Sequence, residues 1–166
     1  FDEAAVFGCA VITGTGAVIN TAQMPTESTA AVIGLGGVGL SAVLGARYQN
    51  ARTLIAIDLS DSKLALAREL GATHTFNARD PDCLERVREL TKGGVEYVFE
   101  MAGSQRAMEL AVKITRRGGT TVTAGLPHPS VMLPMSQVTL VAEERTLKGS
   151  YLGSCVPSRD IPRYIE

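Results

Sequence analysis

An α/β fold built on a doubly wound parallel sheet is the class this sequence predicts, and three observations predict it. Short apolar runs alternate with amphipathic helical stretches along most of the 166 residues. The first such run, 29–33, passes straight into Gly34-Leu35-Gly36-Gly37-Val38-Gly39 and a helix-competent stretch. The next run, 53–58, ends on an acid, Asp58. Strand, G-x-G-x-x-G, helix, strand and terminal acid together make the grip of a dinucleotide-binding βαβ unit.

The elements follow in order. Residues 1–11 and 14–22 read as two short helices ahead of the sheet, and Pro25 breaks the chain after them. Strands are expected at 29–33, 53–58, 73–76, 95–100, 119–124 and 146–151. Helices are expected at 37–49, 61–70, 81–91 and 104–115. Apolar residues at 64, 66, 67 and 70 give the second of these a buried face. Gly71 suits a helix stop, and Asp80 and Ser104 suit helix starts. Unbroken apolar runs such as Thr53-Leu-Ile-Ala-Ile are what a strand buried on both faces requires. Residues 127–134 carry three prolines and read as a loop, with a short extended piece at 131–133. A short helix is expected at 136–142. Residues 1–28 thus form a helical lead-in and 29–166 the nucleotide-binding domain, which breaks off inside a helix and reads as a piece of a larger enzyme.

Composition narrows the function. Apolar residues make up 45% and charged residues 20%, as in a water-soluble globular domain. A formal net charge of −1 with scattered basic residues argues against a nucleic-acid partner or a polybasic membrane patch. No residue from 28 to 46 is charged, yet five glycines there make a poor membrane-spanning helix. Cys9, Cys83 and Cys155 are few, odd in number and far apart, which fits a reducing compartment such as the cytoplasm.

Each residue type in the glycine motif has a physical task. Gly34 permits the tight turn out of the strand, Gly36 lets backbone approach a pyrophosphate, and Gly39 lets helix pack on strand. The first helical amides lack intrahelical partners and point at phosphate oxygens. Asp58 follows Gly39 by 58 − 39 = 19 residues, near the spacing of roughly 20 typical of such units. A carboxylate there accepts the adenosine ribose hydroxyls and repels the extra phosphate of NADP, so NAD is the expected coenzyme.

With these residues in view, the chain resembles the coenzyme-binding (Rossmann) domain of the zinc-containing medium-chain alcohol dehydrogenases. Five separated motifs carry the resemblance: Gly8-Cys9-Ala-Val-Ile-Thr13-Gly14-Thr-Gly16, the glycine loop 34–39, Asp58 with Lys63, Glu100-Met-Ala102-Gly103, and Glu144-Arg145-Thr-Leu-Lys148-Gly149. The resemblance implies coenzyme contacts along Gly34, Leu35, Gly36, Gly37, Val38 and Gly39, at Asp58 and Lys63, and at Ala102, Gly103 and Gly125. It implies that Thr13 packs beside the nicotinamide ring. It implies that Cys9 is one zinc ligand, the other protein ligands belonging to a catalytic domain that precedes this segment in the family. The bland reading of Cys9 is a small buried residue, and that of Lys63 a solvated one. His74, His128, Cys83 and Cys155 match no site position.

The function so implied is hydride transfer between an alcohol and its aldehyde or ketone, with NAD and zinc as cofactors. This segment is expected to bind coenzyme without turning over alone, and the parent to be a homodimer or homotetramer. Two alternatives remain at this point: a zinc-free quinone or enone reductase of the same superfamily, and a non-catalytic nucleotide-binding module. Cys9 and Asp58 both count against the reductase.

Overall fold

A computed structural model describes residues 7–165. Six strands form a single sheet in the order β3-β2-β1-β4-β5-β6. They are β1 (Thr29–Ile33), β2 (Thr53–Asp58), β3 (His74–Asn77), β4 (Val95–Glu100), β5 (Thr115–Thr123) and β6 (Thr146–Gly149). Every pairing is parallel, with β1 central between β2 and β4 in registers such as Val32 to Ala56 and Val32 to Phe99. This is the doubly wound Rossmann order, and it reverses at β1 and β4.

The period-two strand pattern explains why both faces are covered. Ala30, Val32, Leu54 and Ala56 face one core, and Ala31, Ile33, Ile55 and Ile57 face the other. The first core is completed by α2 (Gly37–Tyr48) and α3 (Asp61–Glu69), through Ala42, Val43, Ala46, Leu64 and Ala67. The second is completed by α4 (Cys83–Leu90) and α5 (Gln105–Ile114), through Cys83, Val87, Ala107, Ala111 and Ile114. Ser104 caps α5, its hydroxyl accepting the Ala107 amide at 3.2 Å. Gly71 adopts φ +113° just past α3, which is the stop its sequence position suggests.

Ahead of the sheet, the part of the expected helices inside the described residues is one run rather than two. Wide π-helical turns at Phe7–Val11 and Ala17–Ala22 flank α1 (Ile12–Gly16) without a break. Gly14 does not stop it, because the glycine serves packing: a Cβ there would overlap the Val38 carbonyl and lie 2.7 Å from the Ala42 amide nitrogen. Residues 1–6 of the first expected helix lie outside the described residues. The run seals the outer side of α2, so α2 is covered by sheet on one side and helix on the other. Two faces of α2 are thus covered, and Leu44 and Tyr48 stay exposed on what remains. Among the described residues no helix is long and apolar enough to cross a membrane.

Other boundaries moved for local reasons. The third sheet-associated helix, α4, starts at Cys83 rather than 81, because Asp80 closes a turn with its carbonyl accepting the Cys83 amide at 3.1 Å. β5 begins at Thr115, directly after α5, and residues 116–119 bulge between the Thr115 and Thr120 pairings. β6 stops at Gly149, and the chain then makes a left-handed turn at Leu152, Gly153 and Ser154. Residues 131–133 form no strand. The expected short helix is present as α6 (Gln137–Ala142), capped by Ser136, and α7 (Pro157–Ile165) follows.

Candidate functional site

A crevice of about 1320 Å³ opens outside the carboxyl ends of β1, β2 and β4. That is the topological switch point, where open α/β sheets bind ligands. Of the residues singled out from sequence, Gly34, Leu35, Gly36, Asp58, Lys63 and Ala102 all line it.

The glycine turn is built as its sequence requires. Gly34 adopts φ +89° and donates its amide to the Ile57 carbonyl at 2.9 Å. A Cβ on Gly34 would lie 2.7 Å from Ala102, so the turn rests on the loop that follows β4. A Cβ on Gly39 would overlap the Gly34 carbonyl oxygen, so α2 can lie this close to the strand end only with glycine there. Gly36 differs: nothing lies within 4 Å of the position its Cβ would take. The space is open, and it lies at the start of α2, where Gly37, Val38 and Gly39 present unpaired amides. A cradle left open by a missing Cβ at a helix N-terminus fits a pyrophosphate.

Asp58 closes the other side. Its Oδ2 accepts the Leu35 amide at 2.6 Å and its Oδ1 accepts the Ser60 amide at 2.9 Å. Each oxygen keeps a second lone pair for a ribose hydroxyl. Lys63 stands exposed on the first turn of α3 at the crevice wall. The sequence reading missed the apolar walls, Leu59, Ala78, Leu84, Ala107 and Leu110. Leu59 is 53% exposed directly after Asp58, and its one available signal was an apolar residue at a strand end beside the acid.

Gly103 and Gly125 are brought together beside the crevice rather than in it. They line a smaller cavity of about 210 Å³ with Glu100 and Thr123. Thr13 is buried in α1 next to Gly14, which packs on Val38 and Ala42. Cys9 is exposed, one residue before Ala10, whose methyl lies 3.3 Å from where a Gly37 Cβ would be. The segment carrying Cys9 and Thr13 therefore borders the glycine turn. Zinc needs three or four protein ligands. Among the described residues no group of three or more His, Cys, Asp or Glu could hold a metal ion, so Cys9 by itself does not make a zinc site.

The residues from 37 to 166 match the family model described as zinc-binding dehydrogenase. Alcohol dehydrogenase 1 of Zea luxurians is 38% identical over 99% of the chain and 57% of that protein. Alcohol dehydrogenase 1 of Oryza sativa subsp. indica is also 38% identical, over 99% of the chain and 44% of its own length. The chain thus spans about half the length of the relatives it matches. Among solved structures, an alcohol dehydrogenase zinc-binding domain protein from Burkholderia ambifaria superposes with a TM-score of 0.94 at 37% identity, covering 98% of this chain and 44% of that one. Benzyl alcohol dehydrogenase from Acinetobacter calcoaceticus gives 0.92 at 33% identity, covering 96% and 44%.

Proposed function

The chain belongs to the zinc-binding dehydrogenase family, and we propose that it is the NAD-binding part of an alcohol dehydrogenase that moves hydride between an alcohol and its aldehyde or ketone. The observation that carries the coenzyme reading is Asp58. Its carboxylate sits at the end of β2 facing the open glycine turn, fixed there by the Leu35 and Ser60 amides. Held so, it presents lone pairs for two vicinal ribose hydroxyls and a negative charge against a 2′-phosphate.

When bound, the nicotinamide supplies the hydride acceptor or donor. The chain's own residues do the holding. Gly36 and the amides at 37–39 take the pyrophosphate, and Asp58 with Lys63 takes the adenosine ribose. Leu59, Ala78 and Ala107 wall the adenine, and Ala102, Gly103 and Gly125 approach the nicotinamide side through backbone. Thr13 packs beside that ring and limits its tilt. Cys9 would supply one donor to a zinc whose other ligands are not among the described residues.

In the parent enzyme, residues 1–28 form the lead-in and 29–166 the coenzyme domain. The parent is a homodimer or homotetramer, a reading supported by β6 as an edge strand with exposed Val131, Met132, Val138 and Val141 nearby. Three free cysteines suit a reducing compartment, the cytoplasm.

Calorimetric titration with NADH and NADPH tests the reading. NADH binding tighter than NADPH by about tenfold or more is expected from one repulsive charge at the ribose. NADPH preference, or binding of neither, overturns it. Alcohol oxidation by this chain alone would overturn its assignment as a coenzyme-binding part without turnover.

A further inference from the structure

Glu100 ends β4 and is only 1% exposed. Its Oε1 accepts the amides of Ala102 at 2.9 Å and Gly103 at 2.7 Å. Its Oε2 accepts the Thr123 hydroxyl at 2.8 Å. All of these donors are neutral, so a buried carboxylate is held by hydrogen bonds from two different strand ends.

The partners lead in two directions. Ala102 is the residue on which Gly34 rests, at 2.7 Å from where a Cβ would be. Thr123 closes β5, two residues before Gly125, and Gly125 packs on Gly103 so tightly that a Cβ there would also lie 2.8 Å from Oε2. One side chain therefore anchors the support of the glycine turn and the junction of the β4 and β5 ends.

We propose that Glu100 is a positioning residue for the coenzyme, setting the 101–103 loop against the glycine turn on one side and against Gly125 on the other. The pyrophosphate and nicotinamide ends of the site are thereby held in a single register. This rests on the coenzyme reading above and goes further, since it gives Glu100 a role exerted through Ala102, Gly103 and Thr123.

Two substitutions separate positioning from bulk stability. Glu100→Gln keeps a carbonyl oxygen for both loop amides, and its NH₂ can donate to the Thr123 oxygen. Glu100→Ala leaves two amides without their acceptor. Titration of the full chain with NADH and with AMP reads the difference, because AMP engages the Asp58 side and lacks the nicotinamide end. For Glu100→Ala, NADH affinity falls about tenfold or more while AMP stays within about threefold, as one or two orphaned donors acting locally would give. Glu100→Gln stays within about threefold for both ligands. Wild-type chain that binds neither ligand overturns the coenzyme reading and this inference with it. Wild-type binding with unchanged NADH affinity in Glu100→Ala overturns the inference alone. So do equal losses for NADH and AMP, or failure of Gln to rescue. Should Glu100→Ala not fold, Thr123→Val and Thr123→Ser replace it: loss of NADH affinity with Val and recovery with Ser supports the role, and unchanged affinity with both overturns it.

Discussion

The Asp58 carboxylate holds the Leu35 amide at 2.6 Å, so the end of β2 is fastened to the turn that leaves β1. The ribose anchor proposed above is therefore preorganised by the glycine turn. Asp58→Asn must set an NH₂ group against one of the two amides that now donate to the carboxylate. We expect a stability loss of about 1–2 kcal/mol and about tenfold weaker NADH binding, from one unsatisfied donor and the lost charge. Discrimination against NADPH narrows in the same variant. Thermal melts run beside NADH and NADPH titrations check it, and unchanged discrimination would show that Asp58 does not face the ribose.

Two glycines three residues apart have opposite consequences. Gly36→Ala adds a methyl into open space, at φ −77° where any residue fits. Its melting temperature should stay within about 2 °C of wild type while coenzyme affinity drops, because the methyl occupies the approach to the phosphates. Gly39→Ala drives a methyl into the Gly34 carbonyl. Overpacking of this kind costs about 1–3 kcal/mol or more, and the melting temperature should fall by about 3 °C or more. A Gly36→Ala protein that melts early but binds normally would reverse these assignments.

The strands were readable where burial is two-sided, as at 29–33 and 53–58, because a continuous apolar run bounded by a turn has few other uses. The glycine turn was readable for a related reason: Gly34 and Gly39 each answer a steric demand that the structure displays. Gly14 misled, since a glycine between helical stretches looks like a break, and its helix-helix contact with α2 is invisible without the partner helix. The wall residues Leu59, Ala78 and Ala107 were not readable because they come from three separate elements and share no spacing. Glu100 stood inside a recognised motif, but its partners Ala102 and Thr123 meet only once β5 lies beside β4.

The cysteines should differ in reactivity. Burial, with the Asp80 carboxylate nearby, pushes the Cys83 thiol up to about 11, and burial also raises Cys155. Alkylation follows the thiolate and its access, and Cys9 is exposed. At pH 8 iodoacetamide should modify Cys9 about tenfold or more faster than Cys83, read by peptide mass spectrometry, with urea removing the difference. Equal native rates would mean that the α4 start opens readily and that Cys83 is not the buried residue described.

Asp160 makes α7 pH-sensitive in a direction that can be worked out. Its side chain is fully buried, and the Arg159 guanidinium contacts both its oxygens, at 2.6 and 2.9 Å. The Val156 amide, at 2.8 Å, and Asn20, at 3.3 Å, add donors from the loop and the first helical run. The bond from Arg159 is the leading cause that holds this carboxyl well below the ordinary carboxylate range, against the opposing effect of burial. A folded-state value below the unfolded one, which is about 3.9, means that the unfolded chain takes up the proton first. The contribution of Asp160 to stability is therefore full above about pH 5 and shrinks as pH falls below it. Asp160→Asn lacks this titration, while every other carboxylate is common to both proteins. The gap in urea midpoint between wild type and Asp160→Asn should be largest at pH 7 and smaller at pH 3. A gap that stays constant, or widens on acidification, would show that Asp160 is not held ionised by Arg159 in the folded chain.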